Sequence, residues 1–242
     1  MNKPWSPQYL ARWIGILLLI SLAFGSFGEM VVPAQLMVAG NAAATASNIL
    51  HHQTLFRLSL AAYMVEGLCD ATLTALLYLL LRPAGRELAL IALLMRIVST
   101  AAFSAAEFSY FAALPIVRGA DYLKAFPAGQ LNALAMLQIR LYGTSGSVPT
   151  LFYAVALILI GRLVFVSGYL PRWLGALLML AGLSVTFEMF AIVVAPDYAS
   201  DFLLLPMIVG MLALALWLLI RGVDELRWQE RNSDPSMNAA PF

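Results

Sequence analysis

Six long apolar runs, separated by short polar stretches, constrain this chain more than any other feature of it. Each crossing of a bilayer takes ~20 mostly apolar residues in a helix, because backbone N–H and C=O groups must be satisfied within the segment where no water reaches them. A chain of 242 residues has room for six such helices with short connections. Only 11% of its residues are charged, against roughly 25% in soluble domains, and its mean hydropathy is +0.86. The expectation is an all-α, polytopic integral membrane bundle of six transmembrane helices, one domain over residues 1–221.

The runs place the spans at 13–32, 56–81, 88–113, 148–166, 173–194 and 202–220. Lys3 and Arg12 precede the first run as in a signal peptide, but that run is too long and lacks a small-x-small cleavage site, so it reads as a retained helix. Pro33 is expected to end it. Thr45 and Ser47 offer N-cap chemistry for an early start to the second helix. The turn RPAGRE, Arg82 to Glu87, makes the second and third helices antiparallel neighbours. Residues 128–142 carry Leu131, Leu134, Leu137 and Leu141 at helical spacing among polar residues. They form an interfacial amphipathic helix or an extension of the fourth span. GTSGS at Gly143 to Ser147 is not a phosphate-binding loop and loosens the start of that span beside Pro149. The polar tail, 222–242, is expected to be disordered.

Nine basic residues fall on one side of these spans (Lys3, Arg12, Arg82, Arg86, Arg162, Arg172, Arg221, Arg227 and Arg231) and four on the other (Arg57, Arg118, Lys124 and Arg140). The positive-inside rule puts both termini in the cytoplasm. Trp5, Trp13, Trp173, Trp217 and Trp228 fall near span ends on that same side, where indoles anchor at the interface. A net charge of +1 gives no field for nucleic acid, and none is expected as a partner. With Cys69 alone there is neither an intramolecular disulfide nor a cysteine-rich zinc site.

Charges inside the spans are the candidates for function, since each costs at least ~2.5–3.5 kcal/mol unless paired, hydrated or neutralised. They are Glu29, Glu66, Asp70, Arg96, Glu107 and Glu188. Glu66 and Asp70 share a face of the second helix with Tyr63, Thr74 and Tyr78, while Arg96, Ser99, Thr100, Ser104 and Glu107 form a stripe on the third. Counting back from the turn leaves Arg96 and Asp70 roughly 4–5 Å apart in height, within reach of an arginine. An Asp70 to Arg96 ion pair is therefore expected, with Glu66 able to join it. The pair either staples the two helices or lines a polar pocket.

Carboxylates outnumber the intramembrane bases, so at least one acid must be protonated or hold a cation. Glu29, Glu66, Glu107 and Glu188 are expected in the outer half of the bilayer, around a cavity with Arg57 and Arg140 near its mouth; for Glu29 and Glu188 the alternative is snorkelling to the interface. His51 and His52 are adjacent and project about 100° apart on a helix, so they read as interfacial rather than as metal ligands. No metal site and no cofactor are expected.

Three segments carry a resemblance: SGYLPRWLGALLMLAGL at Ser167 to Leu183, NILHHQTLFRLSLAAY at Asn48 to Tyr63, and LLRPAGRELALIALLMRIV at Leu80 to Val98. They resemble a bacterial six-helix membrane family catalogued as domain of unknown function 4386. The resemblance covers most of the chain and implies topology, with Arg57, Asp70 and Arg96 at recurring positions, but no activity.

Three functional classes remain. The first is a non-enzymatic protein in a bacterial inner membrane that binds or transports a small solute, lipid or proton through Glu66, Asp70, Arg96, Glu107, Arg57 and Glu188. The second is an auxiliary subunit that binds another membrane protein or a second copy of itself. The third is an enzyme using Glu66 or Glu107 as general acid or base, disfavoured by the lack of a nucleophile, metal or cofactor motif.

Overall fold

A computed structural model describes residues 5–233, and every regular element among them is helical. Six of its helices are long and apolar enough to cross a membrane: Pro7–Leu36, Gln53–Ala84, Arg86–Val117, Ala128–Ser167, Arg172–Val194 and Asp201–Ile220. The helices are labelled α1 (Pro7–Leu36), α2 (Ala42–His51), α3 (Gln53–Leu81), α4 (Arg86–Val117), α5 (Ala128–Ser145), α6 (Ser147–Ser167), α7 (Arg172–Val194), α8 (Leu205–Ile220) and α9 (Glu225–Ser233).

Pro33 does not end the first helix. The segment Phe27–Val31 is a single π-helical turn, in which Val32 N–H bonds the carbonyl of Phe27, and the helix then continues through Pro33 to Leu36. Proline has no N–H for the carbonyl four residues back, here Glu29, and its ring crowds that oxygen. A wider turn just before it relieves both problems, and such π-turns occur frequently at functional sites.

The second helix also differs from expectation. Asn41, not Thr45 or Ser47, caps α2, its side chain accepting from Ala44 N–H at 2.9 Å. Thr45 instead receives the N–H of Val38 at 2.9 Å. α2 breaks at His52 before α3 begins, and α5 runs to within one residue of α6.

The chain forms two compact units. Among the described residues, the first takes in those up to Ile20, Cys69–Thr100 and those from Val148 on; the second takes in Ser21–Leu68 and Ala101–Ser147. In the first, Gly161, Gly175 and Gly182 let α6 and α7 pack backbone to backbone, since a β-carbon added at Gly175 would come within 2.5 Å of the Phe165 nitrogen.

The expected tail is partly helix. α9 buries Trp228, whose Nε1 donates to the carbonyl of Leu80 at 2.9 Å, so this indole packs inside rather than anchoring at the interface. The rest of that tail, 234–242, lies outside the described residues, as does Lys3.

The core of the second unit is built from Val32 and Leu36 of α1, Ile49 of α2, Phe56 and Tyr63 of α3, Tyr110 and Ala113 of α4, and Ala135 and Tyr142 of α5. Three of its largest side chains are tyrosines, and this mixture of apolar packing and phenol oxygens frames the site below.

Candidate functional site: a carboxylate and tyrosine cluster

The π-turn of α1 presents Glu29. Its Oε1 accepts a hydrogen bond from the hydroxyl of Tyr142 on α5, while much of the residue stays exposed at the bundle surface. Behind it stand three more rings. Tyr63 and Tyr110 meet edge to face at 5.6 Å, Tyr110 and Tyr142 lie 5.3 Å apart, Tyr63 and Tyr142 5.7 Å, and Phe56 stacks on Tyr110 at 4.8 Å.

Glycine makes this approach possible. A β-carbon at Gly28 would come within 2.7 Å of the Tyr63 ring, and one at Gly25 within 2.5 Å of Glu66 Oε1. Glu66 therefore lies against α1 at Gly25, four residues before Glu29. Glu107, three residues before Tyr110 on α4, is close enough to Glu29 for their charges to interact. Three of the expected acids, from three helices, thus lie in one unit. Among the described residues neither Glu29 nor Glu107 has an ion pair. Arg57 and Arg140 belong to the same unit and are exposed.

Two hydroxyls in the cluster lack partners. Tyr63 is 1% and Tyr110 2% exposed, and among the described residues their oxygens are the buried side-chain polar atoms without a hydrogen bond. The Tyr63 hydroxyl is directed at Glu29 and Tyr142 without completing a bond to either. The hydroxyl of Ser59, which Tyr110 faces, donates instead to the Phe56 carbonyl at 2.7 Å.

The first unit holds the other candidates. Arg96, 2% exposed, places Nη2 3.4 Å from Asp70 Oδ1, donates from Nε to Thr74 Oγ1 at 2.9 Å, and sets its guanidinium 4.9 Å from the centre of the Tyr153 ring. Thr74 in turn donates to the Asp70 carbonyl at 2.7 Å. The cleft beside Arg96, lined by Thr74, Tyr78, Ala92 and Ile160 among others, has about 10 Å³ of free volume. That is room for one water rather than a solute. Glu188 is buried in α7, where Oε2 accepts from Ser200 N–H at 2.9 Å and so holds the α7 to α8 connection instead of snorkelling. It belongs to the first unit, whereas Glu29, Glu66 and Glu107 belong to the second.

His51 and His52 are both exposed, and His51 Nδ1 lies 2.7 Å from the Ser47 carbonyl. The tyrosines are what the sequence reading undervalues. Tyr63 and Glu66 are three apart on α3, as are Glu107 and Tyr110 on α4, a spacing that puts acid and phenol on one face. A glutamate four residues before a proline inside an apolar run was the further signal, since that proline leaves the glutamate's carbonyl without its helical donor.

Comparison with known proteins adds kinship without activity. The family described as Domain of unknown function (DUF4386) matches residues 13–222. An uncharacterized protein from Archaeoglobus fulgidus is 28% identical over 173 residues, covering 69% of this chain and 89% of its own length. No solved structure matches the chain.

Proposed function

This chain belongs to the family described as a domain of unknown function (DUF4386), and from the residues it brings together we propose that it is a non-enzymatic multi-pass membrane protein whose Glu29, Glu66 and Glu107 cluster binds a positively charged species. The observation that carries this reading is Glu29 itself. It stands on a π-turn, is held by Tyr142, lies near a second carboxylate, and has no ion pair among the described residues. A carboxylate without an ion pair in a segment apolar enough to span a membrane is kept by a proton or a cation. Arg96 with Asp70 then serves as the staple between α3 and α4. In this reading both termini are cytoplasmic, on the strength of the nine-to-four distribution of basic residues, and the membrane is a bacterial inner membrane, on the strength of the family resemblance alone.

Infrared titration of the reconstituted protein tests it. Wild type should show the C=O stretch of a protonated carboxylic acid that converts to carboxylate as pH rises. Glu29→Gln should remove that band and Asp70→Asn should leave it. A band indifferent to both Glu29→Gln and Glu107→Gln would sink the reading.

A second reading, an auxiliary subunit that binds another span, has one observation in its favour. A groove of about 370 Å³ on α7 is lined by Phe187, Phe190, Val194 and Tyr198, all well exposed. A photocrosslinker at position 190 should then capture one dominant protein neighbour in native membranes, and capture of lipid alone counts against it.

A further inference from the structure

We infer that the Glu29 site receives a protonated organic amine, whose N–H groups take the place that the Tyr142 hydroxyl holds on the Glu29 carboxylate. The inference rests on the cation-binding reading above and narrows it to one chemical class.

Charge sets the sign of the ligand. Glu29 and Glu107 interact with each other and neither is ion-paired among the described residues, so an anion is repelled. The kind of cation follows from what surrounds the acids. Tyr63, Tyr110, Tyr142 and Phe56 form one contiguous set of rings with centroids 4.8–5.7 Å apart. A proton or a hydrated inorganic ion gains little from aromatic faces. An ammonium group with a carbon body gains both cation–π attraction and apolar burial there. A metal ion is less well served, because no three His, Cys, Asp or Glu side chains among the described residues converge to hold one.

The partnerless hydroxyls point the same way. A phenol oxygen accepts as well as donates, and leaving one buried and unbonded costs about 1–3 kcal/mol. Tyr63 presents such an oxygen toward the very carboxylate that would take the charge. An ammonium carries several N–H donors and can bond Glu29 and Tyr63 together, which a quaternary cation cannot do. Gly28 fixes this arrangement by letting the Tyr63 ring lie against the α1 backbone one residue from Glu29.

Tyr142 is the stand-in for the ligand. Its hydroxyl occupies Glu29 and its ring lies 5.3 Å from Tyr110, so an arriving amine competes with an internal donor. That competition gives the inference an unusual signature, because deleting the competitor should tighten binding.

The test is calorimetric titration of the full chain in nanodiscs with phenethylammonium, tetraethylammonium and sodium. Phenethylammonium should bind, and the other two should bind far more weakly or not at all. Glu29→Gln, which can still accept from Tyr142 and so should keep the fold, should weaken binding by about tenfold or more, as expected for loss of a charge-assisted hydrogen bond. Tyr63→Phe keeps the ring and should weaken it several-fold, Tyr142→Phe should strengthen it several-fold, and Glu188→Gln should leave it unchanged. A purely packing role for these tyrosines would not produce the strengthening. If phenethylammonium fails to bind, if sodium binds as well as it does, or if Tyr142→Phe weakens binding, the amine assignment falls. Where the infrared band is still lost in Glu29→Gln or Glu107→Gln, the cation-binding reading survives that failure; where it is indifferent to both, both fall.

Discussion

The indole Nε1 of Trp228 lies 2.9 Å from the carbonyl oxygen of Leu80, and the Tyr169 hydroxyl reaches the same oxygen, also at 2.9 Å. Leu80 stands at the end of α3, where the chain tightens into the 3-10 turn Arg82–Ala84, and carbonyls in a last helical turn lack helical donors. Two side chains distant in sequence supply them. Trp228→Phe or Tyr169→Phe alone leaves one donor in place and should cost about 0.5–1.5 kcal/mol. The double variant leaves a buried carbonyl bare and should cost more than the sum, which a double-mutant cycle of thermal stability in detergent will read as positive coupling.

Burial pushes the Tyr169 phenol well above its ordinary value, although Arg231 acts weakly in the other direction. The unfolded chain releases this proton near pH 10 while the folded chain keeps it. The contribution is therefore complete below about pH 10 and is lost above it, at up to about 1.4 kcal/mol per pH unit, as pH climbs toward the folded value. The stability advantage of wild type over Tyr169→Phe should be flat through neutral pH and shrink on the alkaline side.

Arg96 satisfies Thr74, Asp70 and the face of Tyr153 at once, from a buried position. Arg96→Met should destabilise by roughly 3–5 kcal/mol, because breaking a buried pair strands the other charge. Adding Asp70→Asn should return part of the loss. Arg96→Lys should not rescue, since an ammonium lacks the fork that reaches Thr74 through Nε and Asp70 through Nη2. Thermal unfolding followed by size-exclusion chromatography measures all three.

What could be read in advance follows from how local the governing physics is. Lipid demands long apolar runs, so six helices are visible in composition alone. The height of Asp70 against Arg96 can be counted because only four residues, Arg82 to Gly85, join the two helices. Glu29 and Tyr142 are 113 residues apart, and no periodicity says which rung of α5 meets which rung of α1. Pro33 was legible as a disturbance, but not its resolution, because a terminus and a π-turn both satisfy proline's missing donor. The same holds for α9. Its residues are polar throughout except Leu226 and Trp228, and nothing local in them says that this indole reaches the carbonyl of Leu80, 148 residues away.

Helices α7 and α8 offer a sharp contrast between glycines. A β-carbon at Gly175 would meet the backbone of Phe165 and Gly161 at 2.5–2.8 Å, whereas one at Gly210 on α8 would find ordinary contacts of 3.5–3.7 Å. Backbone cannot swing aside as a side-chain tip can. Gly175→Ala should therefore cost on the order of 1–3 kcal/mol through overpacking. Gly210→Ala should be neutral or slightly stabilising, since it removes glycine's conformational freedom from a helix. Melting temperatures of the two single variants decide the point.

Pro33→Ala should act on Glu29 from four residues away. With a donor restored at position 33, the Glu29 carbonyl regains an ordinary helical partner and the crowding that favours the Phe27–Val31 π-turn disappears. The turn should then anneal to α-helix, rotating Glu29 about α1 relative to Tyr142, because one residue corresponds to about 100° of helix. Stability should rise or stay level, since alanine suits a helix better than proline. The carboxylic acid infrared band assigned to Glu29 should nevertheless shift or vanish. A variant that is no less stable, with the band altered, would mean that the proline maintains the turn for the sake of the carboxylate. An unchanged band would mean that Tyr142 and the glycine-lined contact with Tyr63 hold Glu29 without it.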